Sequence, residues 1–196
     1  MSGTSLAGGS TASGPAARVG TADLAALAAG VLARGGLFQF HATGSSMMPV
    51  IRSGESVTLA ACRFDALRPG DIIMARTGSG VVFVHRVTRR CRDEGSPAVV
   101  TMGDNLAGAD APLTGDEVLG MAVGMSIGGR PVRFGTLPCR AFGWLIAVTG
   151  RERASLIAAT GWRKWLRRLC TAARILFRRL LRLYLRAFSY AGGPGK

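Results

Sequence analysis

At 196 residues and 48% hydrophobic content, the chain has room for one domain with a real core plus appendages, and its 28 glycines favour a turn-rich β architecture over a helical bundle. Its four cysteines, Cys62, Cys91, Cys139 and Cys170, form no CxxC pair, which excludes a zinc ribbon or a thioredoxin-type site and reads as reduced, mostly buried thiols. Of the net charge of +14, residues 151–196 hold +11, from 12 of the 25 Lys and Arg against the single acid Glu152, so partners selected by charge belong to the tail rather than the core.

Residues 1–20 are Gly, Ser, Ala and Thr with few large apolar side chains, too little to offset ordering entropy, and read as disordered. They lack the positive n-region and promptly following apolar h-region of a signal peptide. Ala22 to Ala33 reads as a short helix, with Thr21 as cap, Asp23 in the first turn and Gly35-Gly36 after its end. From Leu37 to about Phe134 the pattern is β: Ser56–Cys62, Asp71–Arg76, Val81–Arg90, Ala98–Met102, Val118–Ile127 and Arg130–Phe134 are short strand-like runs separated by Gly- and Pro-containing turns. Thr77-Gly78-Ser79-Gly80 should close a hairpin between the second and third runs. Alternation in the third places Val81, Phe83, His85 and Val87 on one face, with His85 half-buried among apolar neighbours.

Residues 137–161 read as an apolar connection containing Pro and Gly, broken by Arg151-Glu152-Arg153, and neither half is long enough to span a bilayer. Residues 162–190 read as a basic amphipathic helix. At about 100° per residue, Trp162, Trp165, Leu169, Leu176, Leu180, Leu183 and Phe188 fall on one side, and Arg163, Arg167, Arg174, Arg178, Arg182 and Arg186 on the other. Ile175, Leu181 and Leu185 are exceptions to the division. Tryptophans with many arginines and no acids make up the composition of an interfacial membrane helix, and packing of the apolar side on the protein's own core is the alternative reading of the same wheel. Residues 191–196 read as a disordered tail.

The chemistry-bearing residues are few. Ser46 lies in Gly44-Ser45-Ser46-Met47-Met48-Pro49, a turn whose small residues leave a hydroxyl and nearby amide N–H groups accessible. A serine nucleophile needs a base. The two lysines, Lys164 and Lys196, lie outside the β region, so the base within the core is an imidazole, and His41 and His85 are the two available. A neutral imidazole needs a carboxylate to orient it, and Asp104 and Asp110 stand in Gly103-Asp104-Asn105-Leu106-Ala107-Gly108-Ala109-Asp110. Each residue alone is a common turn former or core residue. The serine, histidine, carboxylate order is what unites them.

These segments resemble the boxes of the type I signal peptidases. GSSMMPVIRSGE (44–55) is similar to their serine box, RPGDIIMAR (68–76) to their Gly-Asp-Ile strand, VHRV (84–87) to the box carrying the general base, and GDNLAGAD (103–110) to their Gly-Asp-Asn box. VLGMAVG (118–124) and LPCRAFGWLIAVTG (137–150) resemble the closing strand and the segment after it. The likeness covers about residues 37–150 and falls on the branch with histidine as base. It implies Ser46 as nucleophile, His85 as general base, Asp110 as the residue orienting His85, and Asp104 as support, with the Ser46 N–H in the oxyanion hole. Val50 stands where Thr is usual after the proline, and Glu55 where Asp is commoner. Gly44 replaces the supporting hydroxyl two residues before the nucleophile, so oxyanion stabilisation rests on backbone and Ser45. The usual N-terminal anchor and the large β insertion are missing, leaving a minimal catalytic core.

The expected fold is therefore mainly β, a compact catalytic domain like that of signal peptidases and self-cleaving repressors, with a short N-terminal helix and a C-terminal basic amphipathic helix. The expected function is a serine endopeptidase acting on signal or leader peptides after small residues, without metal or organic cofactor. It is expected to be peripheral or interfacial at a bacterial-type cell membrane, contacting anionic lipid through 162–190. Self-cleaving repressors are a poorer fit, because they use lysine and carry an N-terminal DNA-binding domain. The alternative from another class is a non-catalytic protein using the Arg-rich helix to bind membrane or nucleic acid, with nucleic acid the less favoured because it would not require a continuous apolar face.

Overall fold

Short β-branched and apolar runs between Phe38 and Arg133 pair into one antiparallel sheet. The computed structural model describes residues 20–155 and 163–191; the expected disorder of the first residues and of the extreme tail, and Trp162, lie outside this range. The strands are β1 (Phe38–His41), β2 (Ser56–Ala60), β3 (Ile72–Arg76), β4 (Val82–Asp93), β5 (Ser96–Met102), β6 (Val118–Ile127) and β7 (Arg130–Arg133). They lie in the order β1-β2-β6-β3-β4-β5, with β7 also pairing β6. The Thr77–Gly80 hairpin joins β3 to β4 as expected, with Thr77 N–H donating to Val81 O at 2.9 Å and Gly80 at φ +86°. β1 is the strand that was not delimited from the sequence. Its four residues, Phe-Gln-Phe-His, alternate half-buried and exposed at the sheet edge.

Strand β3 explains how the core is built. Ile72 and Met74 point into one apolar cluster and Ile73 and Ala75 into another, on the opposite face of the sheet. The first cluster joins Val57 and Leu59 of β2 with residues of all three helices, including Leu32, Ile146 and Leu185. The second joins Val87 and Val99 with Leu67, Leu113 and the half-buried Phe83. A strand buried on both faces reads as a continuous apolar run, as Ile-Ile-Met-Ala does.

The helices are α1 (Thr21–Ala33), α2 (Leu137–Ser155) and α3 (Arg163–Ala191). Among the described residues, a central antiparallel sheet with three helices packed on it agrees with the expected mainly-β class. In α1, Gly20 rather than Thr21 occupies the N-cap, and no side chain caps it. The stretch expected as a connection is helix α2 through Ser155. Its proline sits in the first turn, where a missing N–H costs nothing. Cys139, Gly143, Ile146, Ala147 and Gly150 form its buried stripe. A Cβ on Gly143 would lie 3.0 Å from Gly70 O and 3.1 Å from Arg86 Nη1, and one on Gly150 only 2.4 Å from Met102 Cε, so the glycines let α2 approach closely. Of the cysteines, Cys139 is buried and the other three are half-buried, all four as free thiols.

Helix α3 packs on α2 and β7. Its inward arc centres on Leu181 and Leu185, the exceptions on the basic side of the wheel, with Arg174, Arg178 and Arg182 beside them and Phe177 and Tyr184 half-buried. Leu169, Leu176, Leu180 and Leu183 face outward, 38–60% exposed, next to exposed Arg168, Arg179 and Arg186. Trp165 and Phe188 lie outside the residues whose side chains are described. Among the described residues, no helix is long and apolar enough to cross a membrane.

Candidate active site

The site forms where β4, β5 and two loops meet. His85 sits in β4 opposite Ile73 of β3, with its ring 4.8 Å from that of Phe83, and it is 6% exposed, more buried than alternation alone implies. The neighbouring β5 ends at Met102, and the chain then folds back along β5. Asp110 N–H donates to Thr101 O at 2.8 Å, and Leu113 exchanges backbone hydrogen bonds with Val99. This return covers the otherwise open edge of β5 and brings Asp110 beside His85.

His85 Nδ1 lies 2.7 Å from Asp110 Oδ2, and Thr101 Oγ1 donates to the same oxygen at 2.6 Å. An ionised carboxylate only accepts, so Asp110 holds the neutral ring as the Nδ1–H tautomer and leaves Nε2 to accept a proton. Thr101 was missed in the sequence. Its signal is a hydroxyl inside the apolar run Ala98-Val99-Val100-Thr101-Met102, where a buried polar group needs a partner.

Asp104 has a different partner. Arg86 Nε and Nη2 donate to its two carboxylate oxygens at 2.8 and 2.7 Å, and Arg86 Nη1 donates to Gly70 O at 2.7 Å. The pair is buried, at 2% and 0% exposure, and its bidentate geometry satisfies both groups. Because neighbouring strand residues face opposite ways, this pair anchors the 103–110 loop to one side of β4 while His85 and Asp110 meet on the other. Asp104 thus pairs with Arg86, and among the described residues it makes no hydrogen bond to the imidazole.

Ser46 lies half-buried in the turn after Gly44, which takes φ +83°. Its carbonyl accepts Asn105 N–H at 2.6 Å, which staples the serine turn to the loop bearing both aspartates. Gly103 permits this closeness, since a Cβ there would lie 2.9 Å from Ser46 O. Among the described residues, no hydrogen bond joins Ser46 Oγ to His85, so the structure joins His85 to Asp110 directly and Ser46 to them through backbone. His41, the other imidazole, is exposed on β1 opposite Ser56.

Arginines of α3 also reach these loops, which the sequence did not indicate. Arg174 Nη2 and Nη1 donate to Gly103 O at 2.9 Å and Leu106 O at 3.2 Å. Arg178 Nη1 donates to Asp104 O and, at 3.5 Å, to Met48 O. Arg182 Nη1 donates to Val50 O at 2.9 Å and to Glu55 Oε2 at 3.0 Å, and its Nη2 pairs with Glu55 Oε1.

Burial pushes the Cys139 and Cys62 thiols up, with the Asp71 charge adding to the effect at Cys62, so neither favours the reactive thiolate. Among the described residues, no three His, Cys, Asp or Glu side chains converge as metal ligands. A cavity of about 1350 Å³ lies elsewhere, between the Arg68–Asp71 turn, β7 and α2, and Ser46, His85 and Asp110 do not line it. Searches against protein-family models, curated proteins and solved structures gave no match to the chain.

Proposed function

We propose that this chain is a serine endopeptidase of the signal-peptidase type, working at a membrane surface. The observation that carries the reading is the hydrogen-bond chain from Thr101 through Asp110 to His85, on the loop that Asn105 ties to the backbone of Ser46. In this reading Ser46 Oγ attacks the peptide carbonyl as His85 Nε2 takes its proton. Asp110 keeps the ring oriented and stabilises the imidazolium. The oxyanion is met by backbone N–H groups of the serine turn. His85 then returns the proton to the departing amine, leaving an acyl-enzyme ester on Ser46. Water, deprotonated by His85, hydrolyses the ester and restores the serine. The Ser46–His85 hydrogen bond forms in this scheme on substrate binding, as is common when apo sites are loose.

The resemblance supports a leader or signal peptide with small residues before the scissile bond as substrate. The outward leucines of α3 beside Arg168, Arg179 and Arg186 support placement on an anionic bilayer, by apolar insertion combined with charge attraction. The nucleic-acid alternative is less well supported, because Arg174, Arg178 and Arg182 are turned inward onto carbonyl oxygens.

Cleavage of a leader-type peptide by wild type and Ser46→Ala tests the enzyme reading. We expect the substitution to lower kcat by about 10⁵–10⁶-fold, the scale for losing a serine nucleophile. Equal cleavage by the two proteins, or none by either, would overturn the reading.

A further inference from the structure

We propose that Arg174, Arg178 and Arg182 are positioning residues for the peptidase site, holding the Ser46 turn and the Asp104–Asp110 loop in mutual register. The proposal rests on the peptidase reading above and assigns α3 a part in it.

Spacing of four residues puts the three guanidinium groups along one side of the helix. Their hydrogen bonds end on two segments. Arg182 holds Val50 and Glu55, downstream of Ser46. Arg174 holds Gly103 and Leu106, on either side of Asp104. Arg178 spans both, donating to Met48 O and to Asp104 O. These carbonyls belong to irregular backbone between strands, which depends on other donors wherever it is buried. A guanidinium suits the task. It is charged at every accessible pH, and its planar fork can serve two acceptors at once, which a lysine ammonium cannot do with the same fixed geometry.

Burial makes these arginines costly as mere solubilising charge. Arg174 is 2% and Arg182 4% exposed, whereas Arg168, Arg179 and Arg186 face outward. Among the described residues, the helix therefore divides its basic side chains by role. The outer set is accessible to an anionic surface, and the inner set grips the loops. Attack by Ser46 on a bound carbonyl depends on where these two loops sit relative to each other, and a displacement of about 1 Å can lower a rate by about 10²-fold.

Arg178 is the residue to test because it touches both loops. The full chain is compared as wild type, Arg178→Ala and Arg178→Lys. Four readouts are taken: peptide kcat and KM, the rate of Ser46 labelling by a fluorophosphonate probe, thermal midpoint, and hydrogen exchange at the non-proline amides of 44–50 and at amides 103–110. We expect kcat and labelling to fall about 10–100-fold in Arg178→Ala, with KM within about three-fold and most molecules folded at the assay temperature. Exchange should rise in both loops. Millimolar ethylguanidinium should restore part of the Arg178→Ala activity, and Arg178→Lys should stay impaired although it keeps the charge. If Arg178→Ala does not fold, the same loss in a folded Arg178→Lys carries the test. Wild-type kcat in Arg178→Ala, or in a folded Arg178→Lys when Arg178→Ala is unfolded, would overturn the positioning role while leaving the peptidase reading intact. So would a loss that only tracks the unfolded fraction. A wild-type protein that neither cleaves peptide nor labels at Ser46 would overturn the peptidase reading, and the positioning role with it.

Discussion

A single carboxylate oxygen holds the candidate base in place. Asp110 Oδ2 receives both the Thr101 hydroxyl and the His85 ring nitrogen, so its negative charge fixes which ring nitrogen carries the hydrogen. Asp110→Asn nearly preserves the shape, but the amide can present its N–H₂ to the ring and favour the wrong tautomer. We expect kcat for peptide cleavage to fall about 10³–10⁴-fold with little change in thermal midpoint. Asp104 behaves differently at the same scale. Asp104→Ala would leave the Arg86 guanidinium buried without its carboxylate, and we expect a loss of about 3–5 kcal/mol in urea unfolding. Two aspartates six positions apart in one loop would thus separate by assay, the first through rate and the second through stability.

Among the elements, α3 shows how far a helical wheel can be trusted. Period and length were legible, and the strong segregation of arginine from leucine was real. The direction the helix faces was not legible, because it docks through Leu181 and Leu185, two residues that break the pattern on the basic side. The apolar side is consequently left largely outward. Replacing Leu176, Leu180 and Leu183 together by Ser should abolish sedimentation with vesicles containing anionic phospholipid. The thermal midpoint should change little, since exposed substitutions usually cost within about 0.5 kcal/mol each. Undiminished binding by the triple variant would remove this face as the membrane contact. Helix α2 failed to register for the opposite reason. Gly143 and Gly150 weaken helix propensity and look like breaks, yet close approach to Gly70, Met102 and Arg174 requires residues without a side chain there.

For the molecule as a whole, the sheet was the readable part. The Val118–Ile127 run coincides with β6, and the hairpin at Thr77–Gly80 closes as its glycines suggest. Local alternation and turn chemistry suffice for such features. The strand order was not readable, because it depends on pairings between distant segments. His85 and Asp110 could be nominated from the sequence, and their contact depends on the loop folding back along β5, which no local signal encodes. Thr101 and the α3 arginines belong to the same class of long-range detail.

Strand β3 gives the fold one last property. Its odd and even residues serve opposite clusters, so neither layer can assemble without the strand that also completes the other. The protein should melt as one cooperative unit. Local motion is then expected to concentrate in the loops and the helix that grips them, while the frame beneath stays closed.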